Sequence, residues 1–151
     1  MIKFLDFDGV IVNSIDECYV VSKDVYFGYS SFLYNEKEYK ALFYKYRGLV
    51  RPAYEYMILH EALETYLQDR NYNIVELFKK KLTTRSSSDK DFYEKEFFYR
   101  RSLYQNNDMK NWLSMNPLMP FGETLIGKNN YDVNIVTTKN KEATEILLKH
   151  Y

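Results

Sequence analysis

The chain is short of cysteine, of net charge and of long apolar runs, and each shortage removes a class of protein. Cys18 is the one cysteine, so an intrachain disulfide is excluded and a reducing cytoplasm fits. With no His nearby in sequence, Cys18 reads as a buried structural thiol rather than a reactive one. The 21 basic and 21 acidic residues cancel, which leaves no electrostatic case for binding nucleic acid or an anionic membrane. The apolar run after Met1 is broken at Asp6, so neither a signal peptide nor a membrane span is expected. His60 and His150 have no metal-ligand spacing to another His, Cys or acid cluster.

What is present starts at the first residues. Ile2, Phe4 and Leu5 form a short apolar run of β type, and Asp6 and Asp8 follow at i, i+2 spacing. A strand's two-residue period aims the two acids to one side and Phe7 to the other, and Gly9 permits the sharp turn that comes next. In open α/β sheets ligands bind at the C-terminal edge of the strands. Two adjacent carboxylates with separable roles suit a hard cation, and they also suit phosphoryl transfer, which needs a nucleophile and a proton donor for the leaving oxygen. The plainer alternative is a strand-end turn with two solvated acids.

The longer string from Asp6 through Gly9 and Val10 to Asn13 and Ser14 resembles the opening motif of the haloacid dehalogenase-like superfamily of phosphohydrolases. The usual motif has an acid where Asn13 stands. The resemblance implies that Asp6 is the nucleophile forming an aspartyl-phosphate and that Asp8 is the general acid/base. It also implies a magnesium cofactor against the Asp6 carboxylate and the Asp8 backbone carbonyl. A second element of the family is similar to the β-branched run Val133 to Val136 closing on Thr137, Thr138 and Lys139. By that likeness Thr137, with Thr138 beside it, binds the phosphoryl oxygens; a hydroxyl donates one directed hydrogen bond without adding charge. The segment Asn116 to Glu123, with Pro117, Pro120 and Gly122, looks like the return from an inserted cap to the core.

Between these elements the chain reads as mostly helical. Tyr39, Leu42, Phe43 and Tyr46 follow helical spacing, as do Tyr54, Met57, Ile58, Leu63, Tyr66 and Leu67 after Pro52. Further helices are expected over 73–82 and around Phe92 to Tyr104, with a Ser/Thr turn cluster over 83–89. The 16 tyrosines and 10 phenylalanines fall mostly in this block, where aromatics pack helices together. Arg47 and Arg51 flank a Gly/Pro-containing loop: they read either as a bidentate clamp for a substrate carboxylate or distal phosphate, or as a solvated helix entry.

The fold expected from the resemblance is α/β, an incomplete Rossmann-like core of parallel strands over 1–13 and 116–151 with an inserted helical cap over 14–115. After Thr137 only one helix's worth of chain remains, so the family's third motif, a Lys, and its fourth, an acidic pair, are not found. Lys139 and Lys141 are assigned to a turn and a helix start, not to the third motif. The function implied is a magnesium-dependent phosphohydrolase acting on a small phosphorylated metabolite. The alternatives are a phosphotransferase or phosphomutase, or a truncated non-enzymatic remnant or interaction protein; a dehalogenase is disfavoured because Asp8 supplies an acid/base. With the later motifs missing, little activity is expected of these 151 residues alone, and the open strand edge is expected to invite self-association or a complementing segment.

Overall fold

A computed structural model describes residues 3–28, 31–126 and 133–151. The elements run β1 (Lys3–Asp6), α1 (Ile15–Phe27), α2 (Glu36–Tyr46), α3 (Glu55–Gln68), α4 (Ile74–Thr84), α5 (Ser87–Asn107), α6 (Met109–Ser114), α7 (Pro120–Ile126), β2 (Val133–Val136) and α8 (Lys141–His150), with one 3₁₀ turn at Arg47–Leu49. Contacts divide the chain into two compact units, Met1–Glu17 with Asn107–Tyr151, and Cys18–Asn106. No helix among the described residues is long and apolar enough to cross a membrane.

The all-helical unit is built by helical periodicity and capping. Asn35 accepts from the Glu38 N–H and Asn73 from those of Val75 and Glu76, satisfying donors that open α2 and α4. Tyr39 and Phe43 then fall on the buried face of α2, and Ile74 and Phe78 on that of α4. Central to this unit is α3, buried at nearly every position from Glu55 to Leu63. Phe43 stacks on Tyr56 and Tyr56 on Phe97, at centroid distances of 5.8 and 5.2 Å, so one aromatic column ties α2, α3 and α5. The Ser/Thr cluster breaks the helices only at Arg85 and Ser86, because α4 continues through Thr84 and α5 starts at Ser87.

His60 lies fully buried on α3, between aromatic rings of α1 and α2. Its Nε2 is 2.9 Å from Ser22 Oγ and its Nδ1 is 2.8 Å from Tyr39 Oη, so both ring nitrogens are satisfied. Burial, and secondarily the charge of Lys23, pushes its pKa down from 6.5 to about 3.

In the other unit β1 and β2 pair in parallel, with Lys3, Phe4, Leu5 and Asp6 opposite Val133, Asn134, Ile135 and Val136. These strands coincide with the apolar run of Phe4 and Leu5 and the β-branched run Val133 to Val136; Met1, Ile2, Tyr131 and Asp132 lie outside the described residues. Gly9 turns the chain at φ 82° and donates to the Val12 carbonyl, while the Ile11 and Val12 N–H groups return to the Phe7 carbonyl. Phe7, Ile11, Val12, Trp112, Ala143 and Leu147 supply the buried apolar side chains. The segment leading into α7 lies along this turn, Met119 N donating to Ile11 O at 2.9 Å. Gly122 is required there: a Cβ at that position would sit 2.3 Å from the Ile11 carbonyl oxygen.

The expectation of an α/β Rossmann-like core is wrong. Among the described residues the structure is 69% helical and its sheet has two strands. Two strands cannot form the layer that helices cover on both faces in an α/β protein. One face of this pair is instead open, with Phe4 66% and Val136 60% exposed. The apolar residues of 14–115 recur at helical spacing, and only two short β-type runs compete with that period, which is why helices dominate.

Two predictions follow from the packing. Gly122→Ala should destabilise the protein by about 1–3 kcal/mol through overpacking, whereas Gly48→Ala, with open space around its site, should be near neutral in the same denaturant titration. His60 is held neutral when folded and takes up a proton near pH 6.5 when unfolded. Stability is therefore complete above that pH and falls as pH drops toward 3, by about 1.4 kcal/mol per unit. Denaturant midpoints at pH 7.5 and pH 5 should differ more for the wild-type chain than for His60→Gln; equal shifts would contradict this reading.

Candidate functional site

The strand ends bring several of the expected residues to one edge. Asp6 closes β1 opposite Val136, so Thr137 is the next residue on the neighbouring strand at the same end. The Asp6 side chain is on the exposed face, with its Oδ1 accepting from the Phe7 N–H at 2.7 Å. Phe7, one residue on, points inward and is fully buried, as the two-residue period of a strand requires. Thr137 Oγ1 accepts from the Lys139 N–H at 3.0 Å, closing a short hydroxyl turn, and its own proton remains available to donate. Thr138 sits on the exposed side of that turn, just before α8 begins.

Asp8 occupies a different environment. Its side chain is 22% exposed, and its Oδ1 accepts from the Ser14 hydroxyl and from Lys139 Nζ at 3.2 Å. Lys139 is 1% exposed at its side chain and also reaches Ser14 Oγ at 3.3 Å and Glu17 Oε2 at 3.4 Å. Glu17 is fully buried, and the indole N–H of buried Trp112 lies 3.5 Å from its Oε1. A buried ammonium is tolerated only when paired, and here two carboxylates share it.

Local sequence explains how these groups arrive. The turn at Gly9 carries the chain from Asp8 to Asn13, whose Oδ1 accepts from the Ile15 N–H at 3.2 Å and opens α1. Asn13 thus supplies the oxygen that begins the helix. Ser14 and Glu17 have the spacing of a capping box, Ser-x-x-Glu, yet both side chains turn to the Asp8 and Lys139 pair. That pattern announces a helix start and hides a polar cluster. Lys139 lies in the turn after β2, as expected, and its side chain is buried against Asp8, 131 residues earlier in the chain. Lys141, by contrast, is 88% exposed and reaches Glu145 at 3.7 Å.

Arg47 and Arg51 belong to the helical unit and are engaged there. Arg47 Nη1 donates to the Val50 carbonyl at 3.3 Å, and its guanidinium lies 5.2 Å from the centroid of the Tyr56 ring. The backbone N–H of Arg51 donates to Glu55 Oε2 at 2.7 Å, where α3 begins, and its side chain is exposed. An open, mainly apolar cleft of about 530 Å³ lies elsewhere, among Met109, Leu113, Pro117, His150 and Tyr151. None of Asp6, Asp8, Thr137 or Lys139 lines it.

The magnesium implied by the resemblance is a poor match for these donors. Mg²⁺ takes an octahedron of oxygens, whereas among the described residues no group of three or more His, Cys, Asp or Glu side chains is placed to hold a metal. Lys139 already occupies Asp8 Oδ1, and Glu17 is buried against the same lysine. No family model, curated protein or solved structure matches the chain.

The buried cluster makes a stability prediction. Lys139→Met takes the ammonium away from the buried Glu17 carboxylate and should cost about 3–5 kcal/mol. Adding Glu17→Met should recover most of that loss, as measured by denaturant unfolding of both variants. A single substitution costing under about 1 kcal/mol, the range of exposed pairs, would show that the cluster is solvated.

Proposed function

We propose that this protein is a cytoplasmic phosphohydrolase that cleaves a small phosphomonoester through an aspartyl-phosphate on Asp6. The observation that carries this reading is the parallel register of β1 and β2, which sets Asp6 and Thr137 at one strand edge. The two acids also differ in environment, Asp6 exposed and Asp8 half-buried beside a lysine, as separate catalytic roles require.

In the first step an Asp6 carboxylate oxygen attacks phosphorus and the ester P–O bond breaks. The leaving oxygen takes a proton from the Asp8 carboxyl group, and the Thr137 hydroxyl donates to a phosphoryl oxygen. In the second step water attacks the phosphorus of the acyl phosphate, its proton passes to the Asp8 carboxylate, and inorganic phosphate departs with Asp6 restored. Lys139 and Ser14 fix the orientation of Asp8 throughout. General acid/base assistance of this kind is worth about 10² to 10⁴ in rate. Asp6→Asn should therefore abolish phosphate release from a panel of phosphomonoesters, while Asp8→Asn should keep the nucleophile and lose about that factor. Undiminished release by Asp6→Asn would reject the assignment.

A second reading, self-association through the sheet, is favoured by the exposed Phe4 and Val136 beside Asp6. Parallel strands are normally covered on both faces, and an open strand edge is a template for pairing. The mass in solution by light scattering should rise with concentration and return to that of a monomer in Val136→Lys. A monomer at all concentrations would remove this reading and leave the enzymatic one standing.

A further inference from the structure

A lysine ammonium has three N–H donors, and Lys139 has three acceptors: Asp8 Oδ1 at 3.2 Å, Ser14 Oγ at 3.3 Å and Glu17 Oε2 at 3.4 Å. With its side chain 1% exposed, Lys139 has no donor left for a ligand at the strand edge. We infer that Glu17 is a positioning residue of this site: it holds Lys139 so that the ammonium serves Asp8, leaving the substrate's phosphoryl group to Asp6 and Thr137. The inference rests on the phosphohydrolase reading for its functional meaning and on the hydrogen-bond geometry for its content.

Each link of the chain is fixed by the one before it. The Trp112 indole N–H, in a fully buried ring, lies 3.5 Å from Glu17 Oε1. Glu17 Oε2 then accepts from Lys139, and Ser14 both accepts from Lys139 and donates to Asp8, so that Asp8 Oδ1, Ser14 Oγ and Lys139 Nζ close a ring. Without the Glu17 acceptor, one N–H of the ammonium would be unpartnered in a buried site and open to a new acceptor. A phosphate bound beside Asp6 would then compete with Asp8 for the lysine. With Glu17 in place that competition does not arise, and Asp8 keeps one fixed oxygen and one oxygen for proton transfer.

The test follows the lysine side-chain ammonium signals by NMR in the full chain carrying isotope-labelled lysine. The Lys139 ammonium hydrogens should exchange with water far more slowly than those of Lys141, which is 88% exposed. Removing one acceptor from a charged donor should speed that exchange by about tenfold or more, in Glu17→Met and in the milder Ser14→Ala. Added inorganic phosphate should shift the Phe7 and Thr137 amides and leave the Lys139 ammonium where it was. Exchange at Lys139 as fast as at Lys141, no acceleration in either variant, or a phosphate-induced shift of the wild-type ammonium would each overturn the inference. Phosphate that moves no amide would count against the phosphohydrolase reading alone, because the exchange rates still decide whether Glu17 holds Lys139.

Discussion

One buried ammonium organises the unit that carries the acids. Lys139, just after β2, joins that end of the chain to the turn after β1 and to the first turn of α1, more than 120 residues earlier, through Asp8, Ser14 and Glu17. Such a cluster gains little net stability over well-packed apolar residues, but it penalises any arrangement that separates its members. The β1 and β2 register, the turn at Gly9 and the start of α1 are therefore mutually constrained. Gly122 adds a steric constraint to the electrostatic one, since only a residue without Cβ lets α7 lie against the Ile11 carbonyl.

The same cluster separates the two acids chemically. Asp6 stands on the open face, its Oδ1 accepting from the Phe7 N–H, a position that would suit the proposed nucleophile. Asp8 is anchored through Oδ1 by a hydroxyl and an ammonium, a fixed position that would suit the proposed acid/base. The i, i+2 spacing that produces this difference is a property of the strand end: Asp6 is the last residue of β1 and Asp8 already belongs to the turn.

Helices were the most legible part of the sequence. Over α2, α3, α4, α5 and α8 the apolar residues recur at helical spacing, and Asn35 and Asn73 mark two of the starts. The first helix was less distinct, because the Tyr19, Val20 and Val21 run breaks a clean amphipathic period. The two strands and the acids at their edge were also legible, since short apolar runs ending in polar residues leave a local signature. The fold class was not, because a motif specifies the geometry of a few residues and not the number of strands around them. Lys139 and Glu17 escaped for a related reason: each reads as an ordinary turn or helix-start residue, and their pairing exists only once segments more than a hundred residues apart have met.

The central claim is that Asp6 is a phosphoryl acceptor at the end of β1. Its most direct test is to mix the chain with a generic aryl phosphomonoester, quench in acid within the turnover time, digest, and locate any phosphoryl group by mass spectrometry. The account predicts an acid-stable, base-labile acyl phosphate on the peptide that contains Asp6. Phosphate release with no such adduct, or with the phosphoryl group on a different residue, would contradict it.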